Sequence, residues 1–131
     1  PRYWNAETPN LYPLYITLLE SGREVEIHTK HIGLRDIRIE GHSLLVNDTP
    51  ITLKGINRHE HDPKNGRAIT VERIERELKL LKDHNFNAIR CAHYTNHPAF
   101  YEVASELGLY VMDENDMEIF KRRGLWAVSC P

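Results

Sequence analysis

The sequence has little of what marks membrane, nucleic-acid-binding and disulfide-rich proteins. Its 131 residues carry 17 Lys and Arg against 19 Asp and Glu, so no basic field is available to hold phosphate backbones. No apolar run approaches the roughly 20 residues needed to cross a bilayer. Two cysteines, Cys91 and Cys130, are too few for a disulfide framework and are expected to be unpaired thiols. We therefore expect neither nucleic acid nor a membrane as partner.

Several common catalytic signatures are missing as well. The chain has no Gly-rich phosphate loop, no Ser nucleophile elbow and no H-E-x-x-H zinc helix. It begins at Pro1 with neither an initiator Met nor an apolar signal core, which predicts the inside of a longer chain. A function must therefore be sought in the other polar side chains.

The first third of the chain has the period of β-strands. Apolar and polar residues alternate over residues 12–18, residues 21–22 form a turn, and the alternation then resumes. This pattern predicts an antiparallel hairpin. A second alternating run covers residues 32–39, and a turn cluster follows at residues 47–50.

From about residue 51 the pattern changes to strands that alternate with helices. The predicted elements are a strand at 51–56, a helix at 71–81 capped by Thr70, a strand at 87–91, a helix from Pro98 that stops at Gly108, and a strand at 109–112. Such an order implies βαβ units with a parallel sheet and right-handed crossovers. The charged residues of the first helix, between residues 72 and 79, are expected to form its solvated face.

Polar side chains follow each of the three predicted parallel strands. The clusters are residues 57–62, 90–94 and 113–118, and together we call them the rim. Carboxyl ends of parallel strands meet at one edge of a sheet, where open α/β sheets and β/α barrels build their sites. Grouping carboxylates, imidazoles and a guanidinium there is costly unless each has a partner or ligand. The rim is therefore the predicted functional site.

The rim residues suit sugar recognition or the binding of a hard metal ion. His59 and His93, if they converge, can donate and accept hydrogen bonds with hydroxyl groups. Arg90 can hold a carboxylate in bidentate geometry. The acidic run that closes at Glu118 offers oxygen ligands for a divalent ion such as Mg²⁺. Each residue alone also fits a structural role, and only their coincidence on one edge favours a site.

A zinc cluster at residues 59–62 is a weaker alternative. In an extended chain, His59 and His61 project to opposite sides. No third ligand at a standard spacing stands nearby to complete a tetrahedral site. The pattern therefore favours the sugar or magnesium interpretation.

Seven short motifs stand in order between residues 4 and 114. They are WNAETPNLY (4–12), IGLRDIRI (32–39), VNDTP (46–50), LKGINRHEH (53–61), NFNAIRCAHY (85–94), NHP (96–98) and GLYVMDE (108–114). In these motifs the chain resembles glycoside hydrolase family 2, and specifically its bacterial lac-type β-galactosidases, from about residue 4 to residue 118.

The resemblance implies a mixed fold made of two partial domains. Residues 1–36 resemble the C-terminal strands of an immunoglobulin-like β-sandwich, and residues 37–131 resemble the N-terminal part of the (β/α)8 TIM barrel. A barrel of that kind normally needs about 250 residues, so the barrel here is expected to be incomplete. The expected partner is the remainder of the same polypeptide, or further copies of it in a homo-oligomer.

The resemblance also implies roles for individual residues. In the family, the histidines at the positions of His59 and His93 contact galactose, and the arginine at the position of Arg90 helps to hold the nucleophilic carboxylate. The glutamate at the position of Glu118 is a Mg²⁺ ligand, which implies Mg²⁺ as a cofactor of the parent enzyme. The expected substrates are β-galactosides, hydrolysed with retention.

The sequence departs from the family in two places. The family's further metal-ligating histidine is replaced by Phe120, whose hydrocarbon ring cannot coordinate Mg²⁺. The glutamates that act as acid/base and nucleophile in the family are expected beyond Pro131, so the chain alone is expected to be inactive. Residues 121–131 match no motif of the family.

Two alternative functions stay open from the sequence. The chain could serve as a non-catalytic carbohydrate-binding or structural module that completes another chain's barrel. Within the same family it could also belong to a β-glucuronidase or β-mannosidase. The Arg-His-Glu-His and Arg-Cys-x-His patterns around His59 and His93 favour the galactosidase branch.

Overall fold

A computed structural model describes residues 1–115, which form three small sheets and two helices. The strands are β1 (Tyr12–Glu20), β2 (Arg23–Ile32), β3 (Ile37–Glu40), β4 (Ser43–Val46), β5 (Thr49–Pro50), β6 (Gly55–Arg58), β7 (Ala88–Cys91) and β8 (Tyr110–Met112). The helices are α1 (Val71–Asp83) and α2 (Pro98–Leu107). Neither has the length and apolar character required to span a membrane.

Strands β1 and β2 form the antiparallel hairpin that the alternating pattern predicts. Ser21 and Gly22 connect them with φ values of 50° and 80°. Two central residues in the left-handed region make a type I′ turn, whose twist matches that of the flanking strands. The hairpin prediction is confirmed.

The alternating run at residues 32–39 does not form one continuous strand. Strand β2 ends at Ile32, and β3 begins only at Ile37. The residues between them hold Trp4: the Trp4 amide donates to the carbonyl of Leu34 at 2.8 Å. A Cβ placed on Gly33 would lie 2.7 Å from the Trp4 ring, so only glycine allows this close approach. Tertiary contact with Trp4 therefore replaces strand pairing here.

Strands β6, β7 and β8 form a parallel sheet in that order, as the βαβ pattern predicts. The first of them starts at Gly55, however, and the prediction of a strand at 51–56 began too early. The register pairs Gly55 with Ala88, and the amide of Lys54 binds the side chain of Asn87 at 2.7 Å. The alternation of apolar residues did not show where β6 begins, because that start depends on pairing with β7.

Both helices begin where the sequence predicts, and α2 also ends there, whereas α1 continues two residues beyond the predicted end at residue 81, to Asp83. The Thr70 hydroxyl caps α1 by accepting from the amide of Arg73 at 3.3 Å. Helix α2 has His97 as its N-cap and Pro98 in its first turn. It ends at Gly108, whose φ of 75° is the left-handed conformation common at helix C-termini.

The hydrophobic core lies between the two helices and one face of the parallel sheet. Its buried members are Ile74, Leu78, Ile89, Cys91, Phe100, Val103, Ala104 and Leu109. Residues of the other parity, such as Arg90 and Met112, stay partly exposed. Within residues 1–115 the sheet has three strands and does not close into a barrel.

Candidate functional site

The parallel register brings the ends of the three strands together. Asn57 stands beside Arg90, and Arg90 stands beside Met112, so the segments that follow these strands leave the same edge of the sheet. Those parts of the three rim clusters that lie within residues 1–115 therefore meet, as predicted. Asn57 and Arg90 lie within their strands rather than after them: β6 extends to Arg58, beyond the predicted end at residue 56, and β7 ends at Cys91, as predicted.

The two histidines predicted at the rim lie next to each other. The ring centroids of His59 and His93 are 5.4 Å apart, with their planes at 76°. The Tyr94 ring lies 6.0 Å from that of His59. The His93 side chain is 43% exposed and His59 is also exposed, so both imidazoles are accessible to a ligand.

Arg90 binds a carboxylate, but the carboxylate is one that the sequence analysis assigned to the acidic run. Its Nε donates to Oε1 of Glu114, and its Nη1 lies 3.5 Å from Oδ1 of Asn57. Nδ1 of His93 is 3.4 Å both from Nη2 of Arg90 and from Oε2 of Glu114. The hydrogen bond from Arg90 is the main cause that holds the pKa of Glu114 below its usual value. Glu114 is therefore the ion-pair partner of Arg90 in this structure.

A buried arginine supports the rim from below. The Arg58 side chain is 6% exposed, and its Nη1 donates to Oδ1 of Asn96 at 2.5 Å. Its Nη2 donates to Glu77 at 3.1 Å, and its guanidinium lies 5.0 Å from the centre of the Phe100 ring. Glu77 belongs to the face of α1 that was expected to be solvated, so that expectation is wrong for this residue. A buried guanidinium needs such a partner, and only the tertiary fold shows which carboxylate supplies it.

Hydrogen bonds join the segments that follow β6 and β7. The Tyr94 hydroxyl accepts from the backbone amide of Glu60 at 2.9 Å, and Arg67 lies over the Tyr94 ring at 4.3 Å. The Glu60 carboxylate in turn accepts from the amide of His97 at 2.9 Å. These contacts hold the His59 and His93 segments side by side.

The buried polar groups beside the rim are arranged for structure rather than nucleophilic chemistry. Cys91 is fully buried, and burial raises the pKa of its thiol to about 11. The Tyr101 hydroxyl donates to Asp113 at 2.6 Å and accepts from the amide of Asn96 at 2.9 Å. Burial also raises the pKa of Tyr101. Neither group is an activated nucleophile.

The described part of the chain does not form a metal centre. Residues 1–115 contain no group of three or more His, Cys, Asp or Glu side chains positioned to hold an ion. This includes the zinc alternative at residues 59–62. Glu118 and Phe120, on which the magnesium expectation depends, lie outside the described residues.

The sequence did not reveal the ion-pair role of Glu114 in the rim or the role of Asn96 beside it. Glu114 was grouped with the acidic run, and Asn96 was given no role. A signal for Glu114 was present, because it follows β8, the strand that pairs with the one carrying Arg90. No sequence pattern indicates that Asn96 binds Arg58.

Family models identify the class of protein to which this rim belongs. Residues 37–127 match the model described as glycosyl hydrolases family 2, TIM barrel domain. Residues 1–35 match the model described as glycosyl hydrolases family 2. The chain belongs to this family, and it lies at the junction between the family's immunoglobulin-like domain and its TIM barrel.

Within the family, the chain is similar to bacterial β-galactosidases. It is 49% identical over 119 residues to the β-galactosidase of Aeromonas hydrophila and 47% identical to that of Pseudoalteromonas haloplanktis. Each match covers 90% of this chain and 12% of the relative. The chain thus spans about an eighth of the length of these curated relatives.

Solved structures of the same family share the fold. The β-glucuronidases of Ruminococcus gnavus and Dictyoglomus thermophilum superpose with TM-scores of 0.80 and 0.82, at 33% and 31% sequence identity. Each match covers 88% of this chain and 20% of the other chain. The arrangement of β1 to β8 with its two helices is therefore a known one.

Proposed function

We propose that this chain is part of a retaining β-galactosidase, and that His59 and His93 bind the sugar at the rim. One observation carries the proposal: the two imidazoles lie 5.4 Å apart at the carboxyl ends of adjacent parallel strands. The 49% identity to a β-galactosidase supports the substrate class. Arg90 is proposed to support the nucleophilic carboxylate of the complete enzyme.

The geometry of the histidine pair suits a sugar. Because the two ring planes are 76° apart, the ring nitrogens of His59 and His93 point in different directions. Each imidazole can therefore bind a different hydroxyl group, as donor or as acceptor. A contact that strengthens as the anomeric carbon becomes oxocarbenium-like contributes to kcat as well as to binding.

The carboxylates of the described rim support a binding role without cleavage. A retaining glycosidase needs two carboxyl groups about 5–5.5 Å apart, one as acid/base and one as nucleophile. Glu60, Asp113 and Glu114 each already accept a hydrogen bond from another group of the fold. We propose that the reacting carboxylates lie outside these 131 residues, and that the chain alone hydrolyses no galactoside.

A cavity beside the sheet supports the proposal that further protein completes this fold. It has a volume of about 720 Å³ and is bordered by Trp4, the β3–β4 hairpin and the parallel sheet. Its lining is mainly apolar, including Leu44, Leu53 and Met112. Sugars need hydrogen bonds from their surroundings, so such a surface suits packing against protein better than binding a sugar. The remainder of the same polypeptide is the proposed partner.

The proposal is tested by His93→Ala in the full-length polypeptide that carries this chain. We expect kcat/KM for a chromogenic β-galactoside to fall by about 100-fold, equivalent to ~3 kcal/mol of transition-state binding. His42→Ala is the matched control, because His42 is an exposed residue of the β3–β4 turn. An unchanged kcat/KM for His93→Ala would remove the sugar contact. Turnover by the isolated 131-residue chain would contradict the proposed absence of the reacting carboxylates.

A further inference from the structure

Glu114 stands between the two rim residues that the proposed function uses. One of its carboxylate oxygens, Oε1, accepts from Nε of Arg90, and the other, Oε2, lies 3.4 Å from Nδ1 of His93. Its side chain is 26% exposed, so these contacts are partly shielded from water. A single carboxylate therefore touches both the guanidinium and the imidazole.

The proton on His93 can occupy either ring nitrogen, and its neighbours determine which one is favoured. If Nδ1 carries a lone pair, that lone pair faces the anionic Oε2 of Glu114 and the two repel each other. If Nδ1 carries the proton, the N–H group and the same anionic oxygen, 3.4 Å away, attract each other. Arg90 also lies 3.4 Å from Nδ1, but its Nη2 has two N–H groups and the side chain is 36% exposed. Water can satisfy the N–H groups of Arg90, and the negative charge of Glu114 favours the proton on Nδ1 of His93.

We propose that Glu114 is a positioning residue that accepts the Nδ1 proton of His93 and holds Arg90 in place, so that Nε2 of His93 presents a lone pair to a sugar hydroxyl. His93 would then act as an acceptor for that hydroxyl rather than as a donor to it. The inference rests on the proposed function only for the sugar contact. The orientation of His93 by Glu114 stands on the contacts among these three side chains.

The first test is Glu114→Gln in the full-length polypeptide, because it keeps the shape of the side chain and removes its charge. An amide can donate or accept, so the preference for the Nδ1 proton is lost. We expect kcat/KM to fall by up to about 100-fold, as for a small misplacement of a binding group. In a His93→Ala background the same substitution should cost several-fold less, because its effect through His93 is already absent. Fully additive losses would overturn the proposal.

The second test measures the proton position itself and is independent of activity. In protein labelled with ¹⁵N-histidine, the His93 signals are identified by their loss in His93→Ala. The wild type should show a protonated Nδ1 and an unprotonated Nε2, and Glu114→Gln should shift towards the opposite tautomer. A wild type with the proton on Nε2, or an unchanged pattern in Glu114→Gln, would overturn the proposal. If the expected ¹⁵N patterns are observed but His93→Ala keeps full activity, the proposed sugar contact of His93 is wrong. The role of Glu114 in orienting His93 then still stands.

Glu77→Gln is the matched control for both tests. Glu77 is also 26% exposed and also binds a guanidinium, that of Arg58, but it lies on α1 away from His93. It should lower Tm without changing the ¹⁵N pattern of His93. The same change of pattern in Glu77→Gln would show a general structural effect and overturn the specific role of Glu114.

Discussion

The β1–β2 hairpin and the β/α units of this chain are both regular, but they are stabilised in different ways. In the hairpin, apolar side chains such as Ile16 and Ile27 are more than half exposed. In the β/α units, Ile74, Leu78 and Phe100 are fully buried between the helices and the sheet. Hairpin geometry follows from local turn chemistry, whereas the β/α units depend on contacts between residues far apart in sequence. The apolar burial that stabilises residues 1–115 is therefore concentrated in the second region.

The N-terminal segment before the hairpin belongs with the β/α units. Trp4 is buried, its indole nitrogen donates to the carbonyl of Ser105 at 2.8 Å, and its ring meets Tyr110 edge-on at 5.5 Å. The Lys82 ammonium binds the carbonyl of Ala6 at 2.6 Å. Position along the chain thus does not decide which residues share a core.

The largest expected difference between the two regions is in the cost of truncating an apolar side chain. Phe100→Ala removes a ring with no exposed surface and should lower the free energy of unfolding by about 3–5 kcal/mol. Ile16→Ala in the hairpin should cost less than about 1 kcal/mol, because 51% of that side chain is already exposed. Urea unfolding of each variant measures both values. Equal losses in the free energy of unfolding would show that Ile16 is packed against other apolar groups and is not exposed.

A smaller difference is expected for two glycines with similar backbones. Gly22 in the hairpin and Gly108 at the end of α2 have φ values of 80° and 75°. Gly22→Ala should cost about 1 kcal/mol, from the left-handed conformation alone, because nothing lies within 4 Å of the added Cβ. Gly108→Ala should cost at least about 2 kcal/mol, because its Cβ would also clash with the carbonyl oxygen of Ala6. If thermal unfolding gave similar losses of stability for the two variants, the contact with Ala6 would be excluded as a cause of additional destabilisation at Gly108.

The smallest effect concerns the thiol at the core of the β/α units. In a Cys130→Ser background, Cys91 should react with a thiol reagent at pH 8 only as fast as the protein opens, because the thiol is buried and its pKa is raised to about 11. This folded-state value lies above the ordinary 9.0. The stability that the group contributes is complete below pH 9.0 and is lost as the pH rises towards about 11. Rapid labelling of Cys91 in the folded protein at pH 8 would contradict the burial and the raised pKa of its thiol.

Local signals predicted those elements whose ends are determined by their own residues. Thr70 and Gly108 mark helix ends through capping, and the turn at Ser21 and Gly22 fixes the hairpin. The strand expected at residues 51–56 was wrong because its true start depends on pairing with Ala88. Alternating apolar residues do not contain that information.

For the site, the order of strands and helices was sufficient to predict that His59, Arg90 and His93 come together, because parallel strands end at the same edge of a sheet. The roles of these residues in binding a sugar stay predictions. The partner of each charge was not predictable in the same way. Glu114 binds Arg90 and Glu77 binds Arg58 because of distances across the fold, and several acidic residues nearby had the same local character.

The sequence by itself determined the kinds of element, their order and the edge at which polar residues gather, since these follow from periodicity, caps and the handedness of βαβ units. Only the tertiary structure decided which carboxylate faces which cation and at which residue each strand begins to pair with its neighbour. Ion pairs and strand registers join residues that are distant along the chain, and their energies depend on burial and distance, which local sequence does not encode.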